Sequence, residues 1–254
     1  MFSALAVSEL CFGGLLVELR ELSGHDVLAI DADDTRAALR LLARLVEAGV
    51  DPQELTAPER DRVLAEVYTR NFGDRIQSEP RCAQCGVRFD VDFRLSELVE
   101  STWPMAPPRQ LDVDELRSLR VPSGMDELAV RRLAASDALE ALAERCTVSR
   151  AGDTRAASPV AVTEMSSLLQ QTAPVLDLEL GASCPECSAH NDLGFRIQSY
   201  LLQRLLAERR QLPAQLDRLA RAYGWSATEI LSLPRATRME LVELASDSAA
   251  RRAG

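Results

Sequence analysis

The chain of 254 residues is 46% hydrophobic and 27% charged, a globular composition that suits one large domain or two small ones. A formal net charge of −10 argues against a general nucleic-acid binder. Nothing approaches a membrane-spanning run, and the apolar stretch Leu10 to Val17 has no basic residue before it and is flanked by Glu9 and Glu18, which predicts no secretory leader and a cytoplasmic protein.

All 29 basic residues are Arg, which together with the excess of Ala and Leu fits a GC-rich bacterial coding bias. Aromatics make up only 4%, so the core must be mostly Leu, Val and Ala. The charge is uneven. From Phe195 onward ten Arg face six acids, or +4, which leaves −14 on residues 1–194. That tail can dock on an acidic partner or on the chain's own acidic body.

In chain order, a strand-like segment (Leu15 to Leu22) runs into Ser23-Gly24-His25-Asp26, where Ser23 is placed to cap a helix and Asp26 sits at its positive end. Thr35, itself a candidate cap, opens a helix to Glu47. Thr56-x-x-Glu59 with Pro58 is a capping box, and Gly73 ends that helix. Phe89 to Phe93 alternates as a strand after Cys82-Ala83-Gln84-Cys85. Ser101 to Arg109, with Pro104, Pro107 and Pro108, reads as a linker.

The order then repeats. Leu116 to Val121 is strand-like and Ser123-Gly124-Met125-Asp126 opens a helix. Ser136 and Thr163 are candidate caps, and Thr147 to Pro159 reads as a mobile loop. Val175 to Leu180 alternates before Cys184-Pro185-Glu186-Cys187. The shared pattern L-R-x-x-S-G-x-D-x-L-A-[IV] covers 19–30 and 119–130 at a shift of 100 positions. Each C-x-x-C is followed at the same distance by Phe-Arg, at Phe93-Arg94 and Phe195-Arg196. Two matched anchors in the same order indicate a tandem duplication. The rival reading is convergent capping chemistry, since S-G-x-D is a plausible helix start.

The tail is a third region. Phe195 to Arg210 reads as a helix, Pro213 as the first turn of a second helix that Gly224 ends, and Ser226-x-x-Glu229 as the capping box of a short one reaching Leu233-Pro234. Arg235 to Ala245 forms the last. The expected fold is α+β: internally duplicated helical halves (1–100 and 101–194) with short strands, joined by a zinc-ribbon-like element, plus a C-terminal helical tail (195–254).

The strongest chemical signal is the pair of C-x-x-C motifs. Zn2+ takes four thiolates in a tetrahedron, and two cysteines three apart on a tight turn supply two of them with little strain. Gly86 after Cys85 suits the left-handed turn of such a knuckle. Neither pair closes a site alone, so Cys82, Cys85, Cys184 and Cys187 are read as ligands of one structural zinc on a pseudo-twofold axis. Common ribbons put roughly 15–20 residues between pairs, and here the gap is far longer. A C-x-x-C redox centre, two unrelated turns and a zinc bridging two chains are the rivals.

Four thiolates leave no open position for water, which excludes catalytic zinc. His190 near the second pair and His25 after the first cap read as surface residues, and Cys11 and Cys146 as buried core thiols. A nucleobase deaminase needs an H-x-E element that the chain lacks. Without a nucleophile elbow, phosphate loop or dinucleotide fingerprint, the chain reads as a binding or scaffolding protein, not an enzyme.

Fragments of the first half, Glu59-Arg60-Asp61-Arg62-Val63-Leu64 through Phe72-Gly73-Asp74 to the first knuckle, resemble the baseplate hub assembly chaperones of T-even-type contractile phage tails. Relatives of these occur in gene clusters for phage-tail-like contractile injection systems. Arg120-Val121-Pro122-Ser123-Gly124-Met125-Asp126 is similar to an R-L-P-T-G-x-D stretch of that family. So is Leu219 to Ser226, followed by Glu229-Ile230-Leu231 and Leu233-Pro234. The order of these scattered motifs carries the resemblance. Ser188 stands where the family often has Gly, and Asn191 where an apolar residue is usual. The resemblance implies a non-enzymatic role in assembling a baseplate hub, with hub or spike proteins as partners and neither a membrane nor a small-molecule substrate involved. The partner surface is expected on the tail, with Tyr223, Trp225 and Leu233 as an anchor rimmed by arginines, or else Trp225 only packs the tail. The alternative is a zinc-ribbon nucleic-acid-binding regulator that uses the tail's arginines.

Overall fold

The duplication read from the sequence is present in three dimensions as two copies of one local structure. The computed structural model describes residues 8–12, 15–47, 49–103, 106, 108–149 and 158–253. In the first copy β1 (Ser8–Phe12) pairs with β2 (Leu15–Leu19), and α1 (Gly24–Ala29) and α2 (Thr35–Leu45) follow. Next come a 3-10 turn at Pro52–Glu54, α3 (Ala57–Phe72), the hairpin β3 (Arg75–Ser78) and β4 (Val91–Arg94), and α4 (Leu95–Thr102). The second copy runs through β5 (Gln110–Asp112), β6 (Arg117–Arg120), α5 (Gly124–Val130), α6 (Ala135–Cys146), β7 (Thr147–Ser149) and α7 (Val162–Thr172). The hairpin β8 (Asp177–Ser183) and β9 (His190–Arg196) leads straight into α8 (Ile197–Tyr223), and α9 (Ala227–Ser232) and α10 (Arg235–Ala253) finish the chain. The pairs β3–β4, β5–β6, β6–β7 and β8–β9 are all antiparallel, so the class is α+β with small sheets.

Each S-G-x-D segment builds the same ion triad. Ser23 and Ser123 form capping boxes with Asp26 and Asp126. Arg20 donates to both Asp26 oxygens at 2.7 Å and Arg44 reaches Oδ1 at 2.8 Å. Arg120 does the same to Asp126 at 2.6 and 3.0 Å, and Arg145 at 3.2 Å. Burial opposes ionisation of Asp26, but the bonds from Arg20, Ser23 and Arg44 outweigh it and hold the carboxyl at about 2. Asp126 is held well below the usual range in the same way, by Arg120 and Ser123 against its own burial. Convergent capping explains the serines and aspartates, but not two arginines from matching strands and helices on each carboxylate.

The chain divides into two compact units whose cuts differ from the repeat boundaries. One comprises Met1–Cys11, Leu16–Val50 and Gln198–Gly254, the other Phe12–Leu15 and Asp51–Ile197. In the first unit the amide of Arg235 at the start of α10 donates to Leu22 O, next to the first cap. In the second unit the amide of Ala57 at the start of α3 donates to Pro122 O, next to the second cap. Three residues into each helix stands a buried arginine. Arg60 pairs with Asp61 and Glu127, and Arg238 with Glu208 and Gln215. Gly24 approaches α9 so closely that a Cβ would lie 2.8 Å from Leu231 Cδ2 and 3.0 Å from Arg238 Nη1, which only glycine tolerates. The tail is therefore part of a core with residues 16–50 rather than a separate region.

Several local expectations are corrected. Phe195 and Arg196 belong to β9, and α8 is one 27-residue helix with Pro213 inside it. An internal proline costs about 3 kcal/mol, but Leu205, Leu212 and Leu219 on either side of it are fully buried and offset that cost. The caps are Asp34, Ala134 and Ala161 rather than Thr35, Ser136 and Thr163, each holding extended backbone before its helix. Trp103 and Arg109 are anchored, not parts of a free linker. Trp103 is buried with its indole N–H donating to Pro174 O, and Arg109 bonds Glu59 at 2.7 and 2.9 Å. Residues 147–149 form β7, and Pro104, Pro107 and the rest of the expected mobile loop (150–157) lie outside the described residues, as does the side chain of Cys11.

Candidate metal centre

The two cysteine hairpins are superimposable in their hydrogen bonds at a shift of 102 residues. Arg75 pairs with Arg94 and Ile76 with Phe93, while Asp177 pairs with Arg196 and Leu178 with Phe195. Each hairpin hands its chain to the next helix through one amide, Leu95 to Asp74 O and Ile197 to Leu176 O. The two hairpins touch through Phe93 and Phe195, whose rings meet edge to face at 5.2 Å.

Each knuckle folds by the same two backbone bonds. The amides of Cys82 and Gly86 donate to Val87 O and to Cys82 O, and those of Cys184 and Ser188 donate to Ala189 O and to Cys184 O, all at 2.9 Å. The turn needs a left-handed residue, supplied by Gly86 at φ +73° and by Ser188 at φ +59°. In each knuckle the first cysteine is buried and the second exposed.

The four sulfurs lie within 4.8 Å of one another. Cys82 Sγ is 3.6 Å from Cys187 Sγ, and Cys85 Sγ is 3.7 Å from Cys184 Sγ. No pair forms a disulfide. A tetrahedron of sulfurs at the usual zinc–thiolate distance of about 2.3 Å has edges of about 3.8 Å, which the Cys82–Cys187 and Cys85–Cys184 separations match. Amides of Cys85 and Gln84 pull the Cys82 thiol down to about 6. The Ala189 amide favours the Cys187 thiolate too, but desolvation and the three neighbouring sulfurs outweigh it and push that thiol up to about 12. Four thiolates this close repel one another unless a cation lies among them. The cluster can hold a metal ion.

Sequence reasoning missed one residue of the centre as a contributor. Asn191 is buried, accepts the Ala83 amide at 2.9 Å, and directs its Nδ2 to Ala189 O at 2.9 Å and to Cys82 Sγ at 3.8 Å. It ties the second knuckle to the first. Its counterpart 102 residues earlier is Phe89, which packs with Cys82 and Cys184 instead. A polar residue in a strand, at the position where the other copy has Phe, was the available signal.

The histidines stand apart from the sulfurs. His190 is exposed, with its Nε2 3.1 Å from Asp192 Oδ1. His25 is half-buried rather than exposed, 3.4 Å from the Ser232 hydroxyl. Cys146 is buried as expected, and desolvation pushes its thiol up to about 11. Of the expected partner surface, Tyr223 and Trp225 stack at 5.0 Å with Tyr223 39% exposed. Trp225 is half-buried against the cluster of Leu219, Ile230, Val242 and Ala245. Leu233 is 7% exposed, so it packs inward and offers a partner almost no surface.

Among the described residues no helix is long and apolar enough to cross a membrane. Comparison with protein-family models, with curated proteins and with solved structures finds no match to this chain.

Proposed function

We propose that the chain is a non-enzymatic protein stapled by one structural zinc ion, acting in the bacterial cytoplasm as a baseplate hub assembly chaperone or hub component of a phage tail or phage-tail-like contractile injection system. The observation that carries the zinc reading is the all-sulfur donor set, four sulfurs within 4.8 Å of one another. Soft thiolates select zinc or iron over hard cations, and four of them leave no position for a reacting water. The metal would fasten two ribbons that lie about a hundred residues apart in the chain, at the entrances to α4 and α8.

The assembly reading rests on the ordered sequence motifs. In this fold they fall on α3, the first knuckle, the cap of α5 and the junction of α8 with α9. The stacked Tyr223 and Trp225 supply an aromatic anchor beside exposed Arg221 and Arg218. Hub or spike proteins are the partners in this reading. The nucleic-acid alternative draws little support from the tail, where Arg209, Arg218, Arg221, Arg235 and Arg238 each bond within the chain.

Co-expression with the hub and spike proteins of a neighbouring tail gene cluster, followed by co-purification, tests the reading. A complex that survives gel filtration and weakens in Tyr223→Ala/Trp225→Ala is expected. Failure to associate with any baseplate protein, together with steeply salt-dependent binding to DNA or RNA, would overturn it in favour of the alternative.

A further inference from the structure

The four sulfurs of the centre divide by exposure. Cys82 and Cys184 are buried and pack with Phe89, and Asn191 Nδ2 lies 3.8 Å from Cys82 Sγ. Cys85 and Cys187 are exposed, and so are the neighbours Gln84 and Gly86 of the one and Glu186 and Ser188 of the other. Solvent therefore reaches two of the four donors, one in each knuckle.

The sulfurs also meet across the two hairpins. Cys82 Sγ and Cys187 Sγ are 3.6 Å apart, and Cys85 Sγ and Cys184 Sγ are 3.7 Å apart. Each contact sets an exposed cysteine against a buried cysteine of the other knuckle. Each pair needs to close by only about 1.6 Å to reach an ordinary sulfur–sulfur bond of about 2.0 Å. We infer that the centre is a thiol-oxidation site, at which a hydroperoxide replaces the metal by two disulfides between the knuckles, Cys82–Cys187 and Cys85–Cys184. The inference rests on the zinc reading and adds a regulation of the same site.

The exposed cysteines are the points of entry. The Cys85 thiolate attacks one peroxide oxygen, the O–O bond breaks, and hydroxide departs from a newly formed sulfenic acid. The Cys184 thiolate then attacks the oxidised sulfur. The S–S bond forms and the S–O bond breaks with loss of a second hydroxide. Two protons from solvent turn both hydroxides into water. The two thiolates give up two electrons and the peroxide takes them. Cys187 and Cys82 repeat the sequence with a second peroxide. The first disulfide already removes two of the four thiolate ligands, and only thiolates hold the metal, so the ion is released. The bonds join residues 105 and 99 positions apart. The hairpins therefore stay fastened after the metal leaves, whereas a disulfide inside each C-x-x-C would free them from one another.

The test treats zinc-loaded full-length protein with a small excess of hydrogen peroxide. It reads metal release with a chromophoric chelator and maps disulfides after alkylation and trypsin digestion. Trypsin places Cys82 and Cys85 on residues 82–88 and Cys184 and Cys187 on residues 156–196. The expected result is loss of the metal together with a covalent link between these two peptides, both reversed by dithiothreitol and zinc. In Cys82→Ser/Cys187→Ser the remaining Cys85 and Cys184 should still cross-link. Cys85→Ser/Cys187→Ser, left with the buried pair, should oxidise about tenfold more slowly. Unlinked peptides that each carry an internal disulfide, metal retained under oxidant, oxidation only to sulfinic and sulfonic acids, or equal rates in the two variants overturns the inference and leaves the zinc reading standing. Protein purified under reducing conditions without any metal fails that reading, and the inference falls with it.

Discussion

Compared residue by residue, the two copies of the repeat agree in the ion triads at their caps and in their cysteine knuckles and differ in what lies between. Asp26 and Asp126 each gather two arginines and a serine. Cys82 and Cys184 each fold the same knuckle. The hairpins diverge at Phe89 and Asn191, the turns at Gly86 and Ser188, and the following helices at α4 and α8. Buried charge and metal ligation tolerate few substitutes, whereas an apolar surface can be recovered, lost or handed to a partner. The account predicts that perturbing the shared features disables both copies alike, and that perturbing the divergent ones does not.

The largest effect is expected from the metal. Chelation of the proposed zinc, or Cys82→Ser, should remove a site worth on the order of 10 kcal/mol. Amide exchange should then accelerate in both hairpins, β3–β4 and β8–β9. Acceleration confined to the first hairpin would break the comparison, because it would mean two independent knuckles.

The triads come next. Asp26→Asn and Asp126→Asn should each cost about 3 kcal/mol in urea unfolding, since each leaves arginines without their buried partner. Because both carboxyls are depressed in the folded state, their stabilisation is complete above the ordinary carboxylate pKa near 3.8. It is lost as the pH falls, through about 2 for Asp26. Asp61 supplies the opposite sign. Burial pushes it up to about 6, so its contribution is complete below 3.8 and declines as the pH rises through 6. Its oxygen accepts the Leu176 amide at 3.0 Å, a bond that an asparagine Oδ1 keeps. Asp61→Asn should therefore flatten the stability profile between pH 4 and 6 by about 2–3 kcal/mol. An unchanged profile would show that Arg60 keeps the carboxylate ionised throughout.

Smaller effects sharpen the divergence. Asn191→Ala should cost about 1–2 kcal/mol, because the Ala83 amide loses its acceptor, and should raise the rate of metal loss to a chelator. Ser188→Gly should raise stability by about 0.5–1 kcal/mol by relieving a left-handed serine. The corresponding change at Gly86, to Ser, should lower stability by a similar amount. Thermal denaturation of the metal-loaded protein measures both.

The fold class, the duplication and the four-cysteine cluster were legible because they reside in letters with few substitutes: Ser and Asp at a cap, Cys at a knuckle, Gly at a left-handed turn. Arg44 and Arg145, which complete the triads, were not legible, since an arginine in the last turn of a helix looks like ordinary dipole pairing. The two helices expected around Pro213 proved to be one, because burial on both sides of the proline overrides a local signal. The caps at Thr35, Ser136 and Thr163 fell a residue or two inside their helices, because backbone geometry and not side-chain identity fixes the boundary. The partition into compact units was beyond the sequence for a related reason. Which core α3 and α10 join depends on contacts between segments far apart in the chain, to which no local pattern points. Leu233 was misplaced on the surface because an apolar residue beside Pro234 carries no mark of the side it faces.

The claim that one zinc joins the two copies within a single chain is tested most directly by native mass spectrometry of freshly purified protein, wild type and Cys82→Ser/Cys85→Ser. The account predicts a monomer carrying one zinc ion, and a variant monomer carrying none although its second knuckle is intact. A variant that keeps its zinc, a metal that bridges two chains, or a metal-free wild type with reversible disulfides would contradict it.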